Sequence, residues 1–304
     1  MNSAGKIYAL LATARIANVP SVVSNLGAGV LLGCARDGNS FTWPWALTAS
    51  AVLLYISGNF FNDWADLDWD RVNRPERALP QGMFGSSAYF AIGLVGTLAG
   101  LALAARYGWA AMVVALILAG FIAFYTKIHK KTALSVVPMG LCRACLPILG
   151  YVAMRGGFSG AAAFPAFALL MYIVALSLSA RWESKGDVPR EKKWQARGLL
   201  FAGGLIAAAL PLLINPVLGW IGLVPFGLWL ILCLTKYQSP VSDFVSALLA
   251  GIPLVDWVLT LPMALIWLQL QRVETSDAMF LTAVLLPPAC FMVGRAIQRL
   301  SPAT

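Results

Sequence analysis

Residues 198–235 read GLLFAGGLIAAALPLLINPVLGWIGLVPFGLWLILCLT and contain no charged side chain. A helix crosses the hydrocarbon core of a bilayer with about 20 residues, so this stretch is too long for one crossing. Asn215, Pro216 and Gly219 lie near its middle, and these residue types favour a turn. The stretch therefore predicts two consecutive membrane-spanning helices.

The rest of the chain repeats this pattern. Further apolar stretches cover residues 16–35, 38–62, 82–105, 107–126, 132–154, 156–180 and 278–294. Another, at 243–270, is interrupted by Pro253 and Asp256. Only 12% of the residues are charged and 60% are hydrophobic, whereas soluble domains carry roughly 25% charged residues. We therefore expect an all-α integral membrane protein of nine or ten transmembrane helices, forming a single transmembrane domain over residues 1–304.

Basic residues are concentrated in the loops after the second, fourth and sixth predicted spans. They are Arg71, Arg74, Arg77, Lys127, Lys130, Lys131, Arg181, Lys185, Arg190, Lys192, Lys193 and Arg197. These three loops lie on one side of the membrane, and the positive-inside rule makes that side cytoplasmic. We expect a multi-pass protein of a bacterial inner membrane, with these loops in the cytoplasm. The net charge of +9 is explained by orienting charges beside membrane helices, so nucleic acid is not an expected partner.

The end of the second predicted span carries a regular series of acids. Residues 62–82 read NDWADLDWDRVNRPERALPQG. Asn62, Asp66 and Asp70 are four apart, which places them on successive turns of one helix face, with Asp63 beside them. Like charges at this spacing repel each other, and Mg²⁺ relieves such repulsion because it binds one or two carboxylates together with substrate phosphates. The motif therefore predicts a Mg²⁺ site.

A second pair of acids follows the sixth span on the same predicted side. Glu183 and Asp187 are again four apart. Alone, such a pair is equally typical of an exposed helix surface, but opposite the first motif it could hold a second Mg²⁺ around one diphosphate. A diphosphate also needs cationic donors. The candidates are Arg71, Arg74, Lys127, Lys130, Lys131 and Lys185.

Other polar residues lie outside the two acidic motifs. Arg143 lies inside an apolar span, and charges in such positions usually face the interior of a bundle. We expect Arg143 to face a cavity, where it either binds an anionic acceptor or pairs with a structural partner such as Asp256. His129 is the only histidine and lies in a basic loop, so we expect it to be solvated. Asp68 lies off the acidic face and is also expected to be solvated.

These motifs resemble those of the UbiA superfamily of intramembrane prenyltransferases. The segment at 62–82 is similar to the first aspartate-rich motif of that family, and Glu183 with Asp187 aligns with the second. Residues 125–127 are similar to the end of the family's fourth helix. Arg15 and Asn18 fit the pattern of its first helix.

The resemblance implies a helical bundle with a central cavity open to lipid, and Mg²⁺-dependent ionisation of a prenyl diphosphate. The implied metal-binding residues are Asn62, Asp63, Asp66, Asp70, Glu183 and Asp187. We expect Asp66, Asp70 and Lys127 to be catalytic. The resemblance implies Arg74 and Lys127 as diphosphate contacts, and the basic loops add Arg71, Lys131 and Lys185 as further expected contacts. Asn18 and Arg143 are the expected polar residues of the cavity.

The second motif departs from the family pattern. Position 180 is Ala where many members carry Asp, position 183 is Glu, and Lys185 lies between the acids. These features are similar to the EboC-like branch. The predicted function is transfer of a prenyl group to an unidentified lipophilic or aromatic acceptor. The alternative is a UbiA-like protein that binds an isoprenoid, or serves in a biosynthetic or transport assembly, without catalysis. A cation transporter is disfavoured because transporter sites typically lie near the bilayer midplane, whereas these acids follow helix ends.

Overall fold

The computed structural model describes residues 3–34, 41–130, 132–183 and 190–300. Over these ranges the chain is helical and contains no β-strand. The α-helices are α1 Ser3–Thr13, α2 Val19–Cys34, α3 Trp45–Ala65, α4 Leu67–Asn73, α5 Ser86–Ala105, α6 Trp109–Ile128, α7 Val136–Arg155, α8 Ala163–Glu183, α9 Arg190–Ile214, α10 Leu223–Thr235, α11 Val241–Ala250, α12 Ile252–Gln269 and α13 Ala278–Gln298.

Nine helical segments in the described ranges are long and apolar enough to cross a membrane. They contain α2, α5, α6, α7, α8, α9, α10, α11 with α12, and α13. Helix α3 is outside this set although it has 21 residues, because the polar residues Asn59, Asn62 and Asp63 lower its mean hydropathy. The nine segments and α3 correspond to the ten predicted spans. The prediction of an all-α, multi-pass membrane protein is confirmed.

The helices pack around two main apolar cores. The first core joins α2, α3, α5, α6 and α7 through residues such as Leu26, Leu54 and Leu149. The second joins α8 to α12 through residues such as Tyr172 and Phe244. Helices α7 and α8 pack directly against each other, so the two halves form a continuous bundle.

The predicted interruption of the ninth span lies at Gly251, between α11 and α12. Pro253 itself is in the first turn of α12. A proline is well tolerated there because the N–H groups of a first helical turn have no partner within the helix.

Helices α2 and α7 cross at a contact that only glycine allows. A methyl group at Gly29 of α2 would overlap the backbone carbonyl of Pro147 in α7, and one at Gly150 of α7 would overlap the carbonyl of Leu26. Small residues let the backbones of membrane helices approach closely. This contact fixes α7, which carries Arg143, against α2.

We predict that Gly29→Ala destabilises the protein because the added methyl group forces α2 and α7 apart. Overpacking of this kind costs about 1–3 kcal/mol. Thermal unfolding in detergent micelles measures the effect. The control is Gly120→Ala in α6, where an added methyl group meets no atom within 4 Å. Equal melting temperatures for the two variants would contradict the close contact.

Candidate active site

The acidic segment begins at a helix end. Helix α3 ends at Ala65, Asp66 has φ −88° and ψ 0°, and α4 begins at Leu67. The turn keeps the helical hydrogen-bond pattern, since the backbone N–H of Asp66 donates to the carbonyl of Asn62 at 3.0 Å and that of Asp70 to Asp66 at 2.8 Å. The polar residues therefore occupy successive turns, as their spacing predicts.

This face of the segment is buried. The exposed fraction is 7% for Asn62 and Asp63, 5% for Asp66 and 1% for Asp70. By contrast, the side chain of Asp68 is 93% exposed and pairs with Arg71 at 2.8 Å. The predicted solvation of Asp68 is confirmed, and the same ion pair holds Arg71 on the exposed face.

Two arginines neutralise Asp63 and Asp70. Arg77, in the loop after α4, contacts Asp70 Oδ2 at 2.8 Å and Asp63 Oδ1 at 3.3 Å through its Nη1. Arg15, between α1 and α2, lies 3.5 Å from Asp63 Oδ1 and donates to Asn59 Oδ1 at 2.8 Å. The first motif is thus held by two cations that the sequence did not assign to it, and both contact the same oxygen of Asp63.

Asp66 is bound by the loop that follows α6. His129 Nε2 lies 2.8 Å from Asp66 Oδ2, and Lys130 Nζ lies 3.5 Å from the same oxygen. The other ring nitrogen of His129 lies 3.0 Å from the carbonyl of Thr126. Both ring nitrogens therefore lie within hydrogen-bond distance of an oxygen atom, which fixes the orientation of the imidazole ring. The expectation that His129 is solvated is wrong, because its side chain is only 9% exposed.

Two oxygen atoms of the motif remain without a partner among the described residues. They are Asn62 Oδ1 and Asp70 Oδ1, and both are buried. A buried acceptor without a hydrogen bond costs about 1–3 kcal/mol, so these oxygens are suited to a cation. The described part of the chain contains no group of three or more His, Cys, Asp or Glu that could hold a metal alone. The donor set still fits Mg²⁺, which keeps several waters and shares substrate phosphates.

A cavity of about 390 Å³ lies beside the acidic segment, and Asn62 is the member of that segment that lines it, whereas Asp63, Asp66 and Asp70 do not. Arg15, Asn62, Arg74 and Arg77 line its polar end, and Asn18 also lines it. The apolar walls are formed by Ala51, Leu118, Ile122, Leu146, Ile173 and Leu176. The cavity can therefore accept a ligand with an anionic group at one end and a hydrocarbon portion beyond it.

The basic residues predicted to bind the diphosphate differ in their position relative to the cavity. Arg74 lines the cavity, whereas Lys127 is exposed and does not line it. Lys131, Lys185 and Asp187 lie outside the described residues. Glu183 is the last residue of α8, and the structure describes only its backbone. The cavity contacts of Arg15 and Arg77 were missed, although both lie close to the quoted motifs.

We predict that Arg77→Met strongly destabilises the protein because it leaves two buried carboxylates without their main cation. Removing one partner of a buried ion pair costs roughly 3–5 kcal/mol. Arg71→Met is the matched control, since its exposed pair with Asp68 contributes about 0–1 kcal/mol. Thermal unfolding distinguishes the two variants. A loss of stability in Arg71→Met as large as that in Arg77→Met would contradict the assigned pairing.

Comparison with known proteins points to one family. Residues 22–193, more than half of the chain, match the profile of the UbiA prenyltransferase family. The digeranylgeranylglyceryl phosphate synthase of Ignicoccus hospitalis is 32% identical over 138 residues, which are 44% of this chain and 43% of that protein. The synthase of Pyrococcus horikoshii is 35% identical over 98 residues, 32% of this chain and 35% of that protein. The chain thus spans less than half the length of the curated relatives it matches.

Solved structures share the fold over nearly the whole chain. A structure of digeranylgeranylglyceryl phosphate synthase has a TM-score of 0.62 and 18% identity, and covers 92% of this chain and 99% of its own. A UbiA homologue from Archaeoglobus fulgidus bound to GPP and Mg²⁺ has a TM-score of 0.52 and 13% identity, and covers 95% and 99%. Membership of the EboC-like branch stays a prediction. The family match and the common fold together show that the chain belongs to the UbiA prenyltransferase family.

Proposed function

We propose that the protein catalyses Mg²⁺-dependent transfer of a prenyl group from a prenyl diphosphate to an acceptor within the membrane. The observation that carries this proposal is the buried acidic segment beside a largely apolar cavity, which Asn62 lines together with Arg77, the ion-pair partner of Asp63 and Asp70. Family membership supports it, as do the ligands of the Archaeoglobus fulgidus homologue.

The first motif has the donors needed for a metal–diphosphate complex. Asn62, Asp66 and Asp70 would hold Mg²⁺, and the free oxygens of Asn62 and Asp70 support this role. Asp63 would bind the metal beside them, with its carboxylate held by Arg15 and Arg77. When bound, Mg²⁺ supplies positive charge that stabilises the leaving diphosphate.

The start of the second motif lies close to the first. Arg181, near the end of α8, donates to Ser135 Oγ at 2.9 Å and to the carbonyl of His129 at 3.4 Å. His129 in turn contacts Asp66, and Ala180 lines the cavity. This placement supports the proposal that Glu183 and Asp187 hold the second edge of the diphosphate.

The diphosphate oxygens also require cationic donors. Arg74 and Arg77 line the polar end of the cavity, and a guanidinium can donate two parallel hydrogen bonds to a phosphate. We assign these two residues to the diphosphate, with Lys127 as the contact that the family resemblance implies. Arg71, Lys131 and Lys185 remain predictions from sequence.

The reaction is an electrophilic substitution. The allylic C–O bond of the donor breaks, and its electron pair goes to the diphosphate oxygen. A nucleophilic atom of the acceptor donates an electron pair to the resulting allylic cation, and the proton that the acceptor loses passes to the released diphosphate. The apolar cavity walls exclude water, which would otherwise capture the cation.

The location of the reaction follows from the loops that carry the site. The acidic segment and His129 belong to the basic loops that the positive-inside rule places in the cytoplasm. We therefore propose a cytoplasmic active-site face. The expected bacterial inner membrane stays a prediction, and the relatives named above are archaeal.

We predict that Asp66→Asn and Asp70→Asn each lower pyrophosphate release by about 10²–10³-fold, the typical cost of losing one electrostatic stabiliser of a developing charge. The assay combines purified protein, Mg²⁺, a panel of prenyl diphosphates and a membrane extract as the source of acceptor. Asp68→Asn is the control, because Asp68 belongs to the same segment but is exposed. Diphosphate binding without release for every donor would support the alternative of a non-catalytic isoprenoid-binding protein.

We predict a specific metal requirement. Chelation with EDTA should abolish pyrophosphate release and added Mg²⁺ should restore it. Asn62→Leu should raise the Mg²⁺ concentration for half-maximal release by roughly 10-fold or more, comparable to the loss of a supporting group at a metal site. A variant with the Mg²⁺ dependence of the unaltered protein would show that the Asn62 oxygen is not a ligand.

A further inference from the structure

A second charged group faces the cavity away from the acidic segment. Arg143 lies within α7, lines the cavity and is partly buried. It belongs to none of the ion pairs found in the described ranges. An arginine inside a membrane helix is costly, so its place in the cavity wall calls for a physical reason.

Neutral side chains of α2 fix the position of this arginine. Its Nη1 donates to Ser21 Oγ at 2.9 Å and to Asn25 Oδ1 at 3.1 Å. The amide nitrogen of Asn25 donates to Asp256 Oδ2 at 2.8 Å, and Ser24 Oγ donates to the same oxygen at 2.6 Å. Asn25 therefore connects the arginine to a buried carboxylate without bringing the two charges into direct contact.

Part of the guanidinium remains available. Both hydrogen bonds to α2 use Nη1, and Nε and Nη2 make none within the described part of the chain. The guanidinium carbon lies 5.3 Å from the ring centre of Tyr55 in α3, another residue that lines the cavity. The guanidinium therefore keeps the N–H groups of Nε and Nη2 available for an anion, which a planar guanidinium can bind with two parallel hydrogen bonds.

The position of Arg143 separates it from the proposed diphosphate site. Tyr55 and Asn62 are seven residues apart on α3, which corresponds to roughly 10 Å along a helix. A molecule whose anionic group lies at Arg143 could thus reach the donor without competing with the diphosphate.

We infer that Arg143 binds an anionic group of the acceptor, a carboxylate or a phosphate. This inference rests on the proposed function, since it names the chemical class of the second substrate of the same cavity. The acceptor enters with its anionic group on Arg143 and its nucleophilic atom towards the polar end. Arg143 is a specificity-determining residue, and Ser21 and Asn25 are positioning residues that hold its guanidinium.

Equilibrium binding to the full-length protein in lipid nanodiscs tests this inference without requiring turnover. Two probe pairs differ only in charge: 4-hydroxybenzoate with 4-hydroxybenzamide, and a lysophosphatidic acid with the monoacylglycerol of the same chain. The unaltered protein should prefer at least one anionic member by about 10- to 100-fold, the range expected for a charge-assisted hydrogen bond. The pair that shows this preference identifies a carboxylate or a phosphate as the group bound.

Arg143→Gln should abolish the preference for the anionic probe. The affinities for the neutral probe and for the prenyl diphosphate should stay unchanged. Arg143→Lys retains a cation and provides the result if the Gln variant does not fold. It should weaken the binding of the anionic probe without changing the affinity for the neutral probe. Arg106→Gln, in the exposed loop between α5 and α6, is the control for charge alone.

Two outcomes would overturn the inference. One is the same preference for the anionic over the neutral probe in the unaltered protein, Arg143→Gln and Arg143→Lys. The other is the absence of any preference for either anion in the unaltered protein. Failure of pyrophosphate release, with the anion preference intact, would count against the proposed function only.

Discussion

Neutralisation of three buried aspartates is the constraint on which the site depends. Asp63, Asp66 and Asp70 are all at least nine-tenths buried, and an unpaired charge in such a position costs several kcal/mol. The groups that contact them are Arg15, Arg77, His129 and Lys130, and these belong to three separate segments. The segment before α2, the loop after α4 and the loop after α6 must therefore converge on the end of α3.

The same pairing has a consequence for the proposed chemistry. The acids are held by basic groups of the chain itself, while Asn62 Oδ1 and Asp70 Oδ1 have no partner among the described residues. These two oxygens and the neighbouring carboxylates would hold Mg²⁺, which would supply positive charge to a diphosphate. Arg77 contacts Asp63 and Asp70 and also lines the cavity, so its guanidinium is placed to donate to a phosphate oxygen.

The sequence predicted the parts of the structure that depend on local periodicity. The four-residue spacing correctly placed Asn62, Asp66 and Asp70 on one face, because backbone hydrogen bonds continue through the turn at Asp66. It could not distinguish Arg71 from Arg77, since both follow the same acids. The difference arises because Arg71 lies on the exposed face of the short helix α4, whereas the chain beyond α4 folds back and returns Arg77 to the acids. His129 was misjudged for a similar reason, because its contact with Asp66 spans 63 residues.

Polar residues within the membrane helices reveal how the cavity is organised. Helix α3 falls short of the hydropathy of the other spans because of its polar side chains, and α7 and α12 carry Arg143 and Asp256 within their membrane-spanning parts. The carboxylates of the acidic segment meet basic groups of the neighbouring loops, whereas Arg143 and Asp256 are joined through Asn25 of α2. Asn62 of the acidic segment and Arg143 both line the cavity, and apolar side chains such as Leu118 and Leu146 line it with them. A cavity with polar groups from these two places and apolar side chains elsewhere is suited to bind two polar groups and to exclude water from the hydrocarbon of its ligands.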